Sequence, residues 1–247
     1  MNYTDALSDF FRSPKWLNNL LLGGVCVLIP IVGPIALIGW HVTAMWARPD
    51  ADDFTTYPSF DFKNFGTYLE RGMWPFLTMM VVPLVMVPVM FMFMFSMVPL
   101  QIAAAQSHNH DAANAAGALA FLGFGGFMII WMALILLITF LLRPICIAAT
   151  LTQDFASAFR LKRLKQFIGL MWLEILLSLL FVWVAAIGLS IVGMVAFCVG
   201  MYFTMSLIYF MQGHLDRQLY RLYVARGGEP IPLSPKLKGV PPALPLS

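Results

Sequence analysis

Charge is what this chain has least of: Asp, Glu, Lys and Arg make up 11% of its 247 residues, against roughly 25% in an ordinary soluble domain. With 60% of residues hydrophobic, such a chain cannot cover its own apolar surface in water, which excludes a soluble globular class. Cysteine is scarce too. Cys26, Cys146 and Cys198 all lie in or beside apolar stretches and lack the close spacing of a zinc site or redox pair, so they read as small buried hydrophobes. The polar segments hold no nucleotide-binding loop, nucleophile elbow or paired-carboxylate pattern. No enzyme activity, cofactor, metal or nucleic-acid partner is therefore expected. A cleavable signal peptide is not expected either, because Asp5 and Asp9 occupy the place of its basic region.

What the chain does have is long uncharged runs. They cover residues 17–45, 73–101, 118–142 and 167–210, and about 20 apolar residues suffice to cross a bilayer core of roughly 30 Å. The last run would make a helix of about 66 Å, so it is expected to fold back near Gly188, Ser190 and Gly193. Basic residues then set the orientation. The segment 106–117 carries no Lys or Arg, whereas Arg143, Arg160, Lys162, Arg163 and Lys165 cluster after the third run. Short cytoplasmic loops keep Lys and Arg, which places both termini on the cytoplasmic side of the membrane.

Parity then favours a first run that enters and returns on one side, the competing reading being one long kinked helix with an external N-terminus. Its midpoint supplies the means in Pro30, Gly33 and Pro34, since proline removes a helical donor and crowds the preceding turn. Each half is about 20 Å long, too short to cross, which suits a re-entrant helical hairpin. Ahead of three of the runs, apolar residues recur at helical spacing: Tyr3, Ala6, Leu7 and Phe10; Phe62, Phe65 and Leu69; Leu151, Phe155 and Phe159. Each set reads as an amphipathic helix at the interface, followed by a boundary tryptophan, Trp16, Trp74 or Trp172.

The expected fold class is thus an all-α integral membrane protein with four transmembrane helices, an N-terminal re-entrant hairpin and cytoplasmic-side amphipathic helices. In one domain, 1–228, the layout is an interfacial helix 3–12, the hairpin 17–46, an interfacial helix 61–71, a crossing 73–101, and an external loop 106–117. There follow a crossing 118–142, an interfacial helix 151–165, a crossing 167–187, and a crossing 192–211 that continues as a cytoplasmic helix to about 225. Residues 229–247, with six prolines from Pro230 to Pro245, make an extended tail with little power to form a core alone.

Phe11-Arg12-Ser13-Pro14-Lys15-Trp16, Leu20 to Gly24, Ile29 to Pro34 and Gly39-Trp40 resemble the opening signature of an uncharacterised prokaryotic membrane family, domain of unknown function 4013. Phe65-Gly66 to Gly72, and Gly213-His214-Leu215 through Tyr220-Arg221, are similar to its middle and end, so the resemblance runs from about Phe11 to Tyr223. It implies a membrane fold and no chemistry, so no functional residue is carried over.

Three groups of residues are candidate sites. Glu174 is the one acidic residue well inside an apolar run, and a carboxylate there needs a partner or a proton; Arg143 and His41 lie at plausible depth. Met86, Met90, Met94 and Met97 share a helical face and offer soft sulfur ligands, though such residues more often pack against irregular neighbours. His108, Asn109, His110 and Asp111 form a compact polar loop, most simply a solvated tip. Membrane lipids are the expected partners, together with other membrane-protein subunits met through the helical faces and the Pro-rich tail. An accessory or scaffold role is the first expectation. A small transporter or channel using Glu174 is the second.

Overall fold

A computed structural model describes residues 1–48, 51–106, 110–195 and 199–237. Cys198, His108, Asn109 and the tail from residue 238 onward lie outside that set. Among the described residues every regular element is a helix and no strand occurs. Three stretches are long and apolar enough to cross a membrane: Phe62–Pro99, Gly117–Thr152 and Leu161–Val195. The chain divides into two compact units, residues 1–78 with 141–247, and residues 79–140.

The first unit begins with α1 (Tyr3–Ser8), capped by the Asn2 side chain, and a 3₁₀ turn over Asp9–Arg12. The expected single helix 3–12 therefore tightens in its last turn. The helical hairpin forms as α2 (Trp16–Leu28) and α3 (Val32–Trp46). Its turn sits at Ile29–Ile31, where Pro30 ends the first helix and Ile31 takes a left-handed φ of 65°. Gly33 and Pro34 fall in the first turn of α3, where a missing proline donor costs nothing.

The two limbs bury different things. α2 shows Leu17, Leu21, Val25 and Leu28 outward, one stripe at helical spacing, and turns Asn19, Gly23 and Gly24 inward. The exposed stripe is apolar, the arrangement hydrocarbon favours, although Asn18 is exposed as well. α3 is enclosed on nearly all sides and carries Trp40 and His41 into an aromatic core with Phe10, Phe54, Tyr57, Phe60 and Phe210. Trp40 donates to the Pro58 carbonyl at 3.1 Å, and His41 Nδ1 meets the Tyr57 hydroxyl at 2.7 Å. The segment between α3 and α4 is shaped by Asp53 and Asp61, whose carboxylates cap short 3₁₀ turns.

α4 (Phe65–Met79) does not stop at residue 71 but runs on through Pro75. The break comes at Met80, because the Pro83 ring crowds the carbonyl four residues back, that of Met79. Within this unit α4 crosses α3 with backbones in contact: a Cβ on Gly39 would lie 1.7 Å from the Tyr68 carbonyl oxygen, and one on Gly72 would lie 1.9 Å from that of Ile35.

The end of α6 (His110–Thr152) passes Arg143 and stops at Gln153, whose φ is 52°. An interfacial helix over 151–165 does not form. Asp154 instead accepts from the N–H groups of Ala156 and Ser157, capping the four-residue α7 (Phe155–Ala158), and this local bonding competes with helix continuation. α8 then runs unbroken from Leu161 to Val195, so the expected turn at residues 188–193 is displaced. Gly193 serves packing instead: a Cβ there would lie 2.9 Å from the Met201 nitrogen, letting the start of α9 (Gly200–Ala225) approach α8 closely.

α9 is the hub of the unit, packed against α1, α2, α3 and α8. It is not among the three candidate spans, since it carries His214, Asp216, Arg217 and Arg221. Residues 229–237 fold back as a strap whose Ile231 and Leu237 are buried. The Ser234 N–H donates to Leu151 O at 2.8 Å, Tyr220 Oη brackets Ile231, and Arg71 donates to Lys236 O at 2.6 Å.

The second unit holds α5 (Val81–Gln106) and α6 up to Phe140. Residues 110–117 are helical, so α6 takes in most of the expected loop 106–117. Among its described side chains only Met86 is buried, while Leu84, Phe95, Phe121, Ile129 and Ile130 are strongly exposed. Phe93 stacks on Phe127 with ring centroids 3.6 Å apart. Ser96 and Thr139 return their hydroxyls to their own helix, onto Phe93 O and Ile135 O.

Candidate functional site

The functional groups gather on the second half of α9. His214, Arg217 and Arg221 recur three and four residues apart, which puts them on one helical face. His214 is 7% exposed and its Nε2 lies 3.2 Å from the equally buried Asp9 Oδ2. Its Nδ1 meets Gln218 Nε2 at 3.0 Å, and Gln218 is bound in turn to both backbone groups of Asn2. Burial holds the imidazole below its ordinary pKa while the Asp9 carboxylate pulls the other way. Arg12 also reaches Asp9, at 3.0 Å. Across the same space Asp52 bridges Arg217 and Arg221, at 2.8 and 2.6 Å, and Arg217 donates to Ala51 O. Burial lowers the Arg217 pKa to about 10. For Asp52, the bond from Arg221 holds the carboxyl below its usual range.

These groups line a cavity of about 310 Å³ bounded by α1, the Asp9–Arg12 turn, the segment 51–54 and α9. A buried ion pair lies elsewhere on α9, where Arg143 Nε is 2.5 Å from Asp216 Oδ1. Burial pushes the Asp216 carboxyl up to about 6, with Arg143 opposing. No group of three or more His, Cys, Asp or Glu suited to a metal occurs among the described residues.

The expected intramembrane group does not come together. Glu174 pairs with Arg226, which also donates to Leu170 O at 2.8 Å. Arg143 pairs with Asp216 and His41 with Tyr57. Trp16 and Trp172 are exposed and Trp74 is half-buried. Of the methionine stripe, Met86 is buried and Met90 and Met94 are exposed. Asp9, Asp52, His214, Asp216 and Arg226 were not candidate residues in the sequence. The one trace of them was the spacing of His214, Arg217 and Arg221 beside the apolar end of α9.

Three helices long and apolar enough to cross a bilayer, in an all-helical chain, are compatible with a membrane protein. The family model described as protein of unknown function (DUF4013) matches residues 22–211, and the chain belongs to that family. Within the cavity only Asp52 and Phe54 fall inside the matched range. No curated protein and no solved structure matches the chain.

Proposed function

We propose that this chain is a non-enzymatic integral membrane protein of a prokaryotic inner membrane, an accessory or scaffold subunit with both termini cytoplasmic. In this reading α5, α6 and α8 cross the membrane, the chain from the end of α8 along α9 to about Met211 makes the fourth crossing, and α2–α3 is a re-entrant hairpin. The hairpin tip supports it: Leu28, Ile29, Ile31 and Val32 are all exposed, with Ile31 at 66%, and no charged residue lies between Lys15 and Arg48. Water would penalise such a tip and hydrocarbon would not.

The observation that carries the scaffold role over transport is that the two charged residues proposed inside the helices, Glu174 and Arg143, each meet a counter-charge, while the third candidate, His41, meets the neutral Tyr57 hydroxyl. Glu174 is held by Arg226 and Arg143 by Asp216. The Ser178 hydroxyl is bonded within its own helix, and Asn19 Oδ1 accepts from the Phe60 N–H. The test is purification from the native membrane in nanodiscs. A second membrane protein at fixed stoichiometry is expected. A chain that stays alone and moves a solute or proton across vesicles, with that flux lost in Glu174→Gln, would establish the transporter instead.

A further inference from the structure

The mixed-charge cavity on α9 is built to hold a ligand carrying both signs. Its charges are segregated by element: Asp5 and Asp9 come from the first twelve residues, Arg217 and Arg221 from α9, with Asp52 bridging the two arginines. Three carboxylates and two guanidiniums, with Arg12 also against Asp9, leave the site close to neutral overall. Such a site gains little from a simple anion or cation and most from a zwitterion.

Bonding capacity remains at both poles. A guanidinium has five N–H donors, and among the described residues Arg221 spends only Nη2, on Asp52. Asp5 engages one carboxylate oxygen with Asn2 Nδ2, at 2.5 Å, leaving its other oxygen for a donor. The Phe54 ring adds an apolar part to the lining, suited to a short methylene bridge and to a cation near its face. A volume of about 310 Å³ is at the low end of small-molecule sites, roughly 300–1,000 Å³.

We propose that this cavity binds a phosphoethanolamine-type zwitterion, its phosphate on Arg221 and Arg217 and its primary ammonium on Asp5 and Asp9. The assignment to a lipid headgroup rests on the membrane reading. Beside the cavity the Asp9–Arg12 turn runs into exposed Phe11, Trp16 and Leu17, the two rings 5.3 Å apart. Aromatic residues of this kind mark the headgroup level, so a headgroup could reach the site without leaving the bilayer.

The full-length protein would be titrated in phosphatidylcholine nanodiscs containing increasing phosphatidylethanolamine, and separately with soluble glycerophosphoethanolamine, with binding read by native mass spectrometry. Saturable preference for the ethanolamine lipid over phosphatidylcholine is expected, because a quaternary ammonium has no N–H to give Asp5. Arg221→Gln and Asp5→Asn, both near the surface, are each expected to weaken binding about tenfold or more, as loss of a charge-assisted bond implies, without lowering the melting temperature. Binding of the soluble probe alone keeps the site and assigns it to a free zwitterion; this arm does not depend on the membrane reading, which fails separately if the chain stays monodisperse without detergent or lipid. Equal binding of phosphatidylglycerol and phosphatidylethanolamine, or no binding by protein of unchanged melting temperature, overturns the proposal.

Discussion

Residues 79–140 and the rest of the chain pair their polar groups in different ways. The 79–140 unit contains no Lys or Arg, returns its described hydroxyls to its own helices, and buries only Met86 among its described side chains. The other unit holds all fifteen Lys and Arg and draws its buried polar groups into bonds between distant segments: Asp9 with His214, Asn19 with Phe60, Arg71 with Thr43 and Lys236. Two apolar helices joined by few polar bonds are specified loosely, since many rotations about their axes expose equally apolar faces. A unit stitched by long-range polar pairs has few alternatives, because each mispairing strands a buried group at about 1–3 kcal/mol or more.

The sharpest way to break that comparison is through glycine. Gly39→Leu drives a side chain into the Tyr68 carbonyl and is expected to cost about 4 kcal/mol or more, seen as loss of monodisperse protein on size exclusion. Gly125→Leu, with nothing within 4 Å of its Cβ, should leave the elution profile unchanged. If both are tolerated, the close crossing of α3 and α4 is not what organises the first unit.

Charge comes next. Arg143→Ala leaves the Asp216 carboxylate buried without its counter-charge, a loss of about 3–5 kcal/mol measurable as a lowered melting temperature near neutral pH. Replacing both partners by Met should recover much of it, since an apolar pair strands no charge. No comparable pair occurs among the described residues of 79–140.

The smallest expected effect is a pH dependence. The Asp216 carboxyl is raised by burial from 3.8 to about 6, so the folded protein binds this proton more tightly than the unfolded chain. Its contribution is fully present below about pH 4 and is lost as pH rises through 6, amounting to at most about 3 kcal/mol. The melting temperature should therefore be higher at pH 5 than at pH 7.5 on this account, and Asp216→Asn should remove that difference. A slope unchanged in Asp216→Asn would place the titrating group elsewhere.

Much of the fold was legible along the chain because its causes are local. Pro30 breaks the first apolar run wherever the helix goes, since its missing N–H and its ring act on the adjacent turn. The reading faltered where local and tertiary demands compete. Gly188 and Gly193 look like a turn, yet α8 runs through both, because continuing a helix satisfies every backbone group and Gly193 is used to admit α9. The tail looked unable to form a core, and alone it is, but Ile231 and Leu237 borrow one from α4, α6 and α9.

By itself the sequence determined the apolar character, the helical class and the place of the hairpin, because composition and proline act over a few residues and do not depend on what lies across the fold. The tertiary structure alone decided which charges meet. Glu174 finds Arg226 instead of Arg143, Arg143 finds Asp216, and Asp9 reaches His214 across 205 residues. Electrostatic pairing is set by distance and burial in space, and neither is written in the order of residues along the chain.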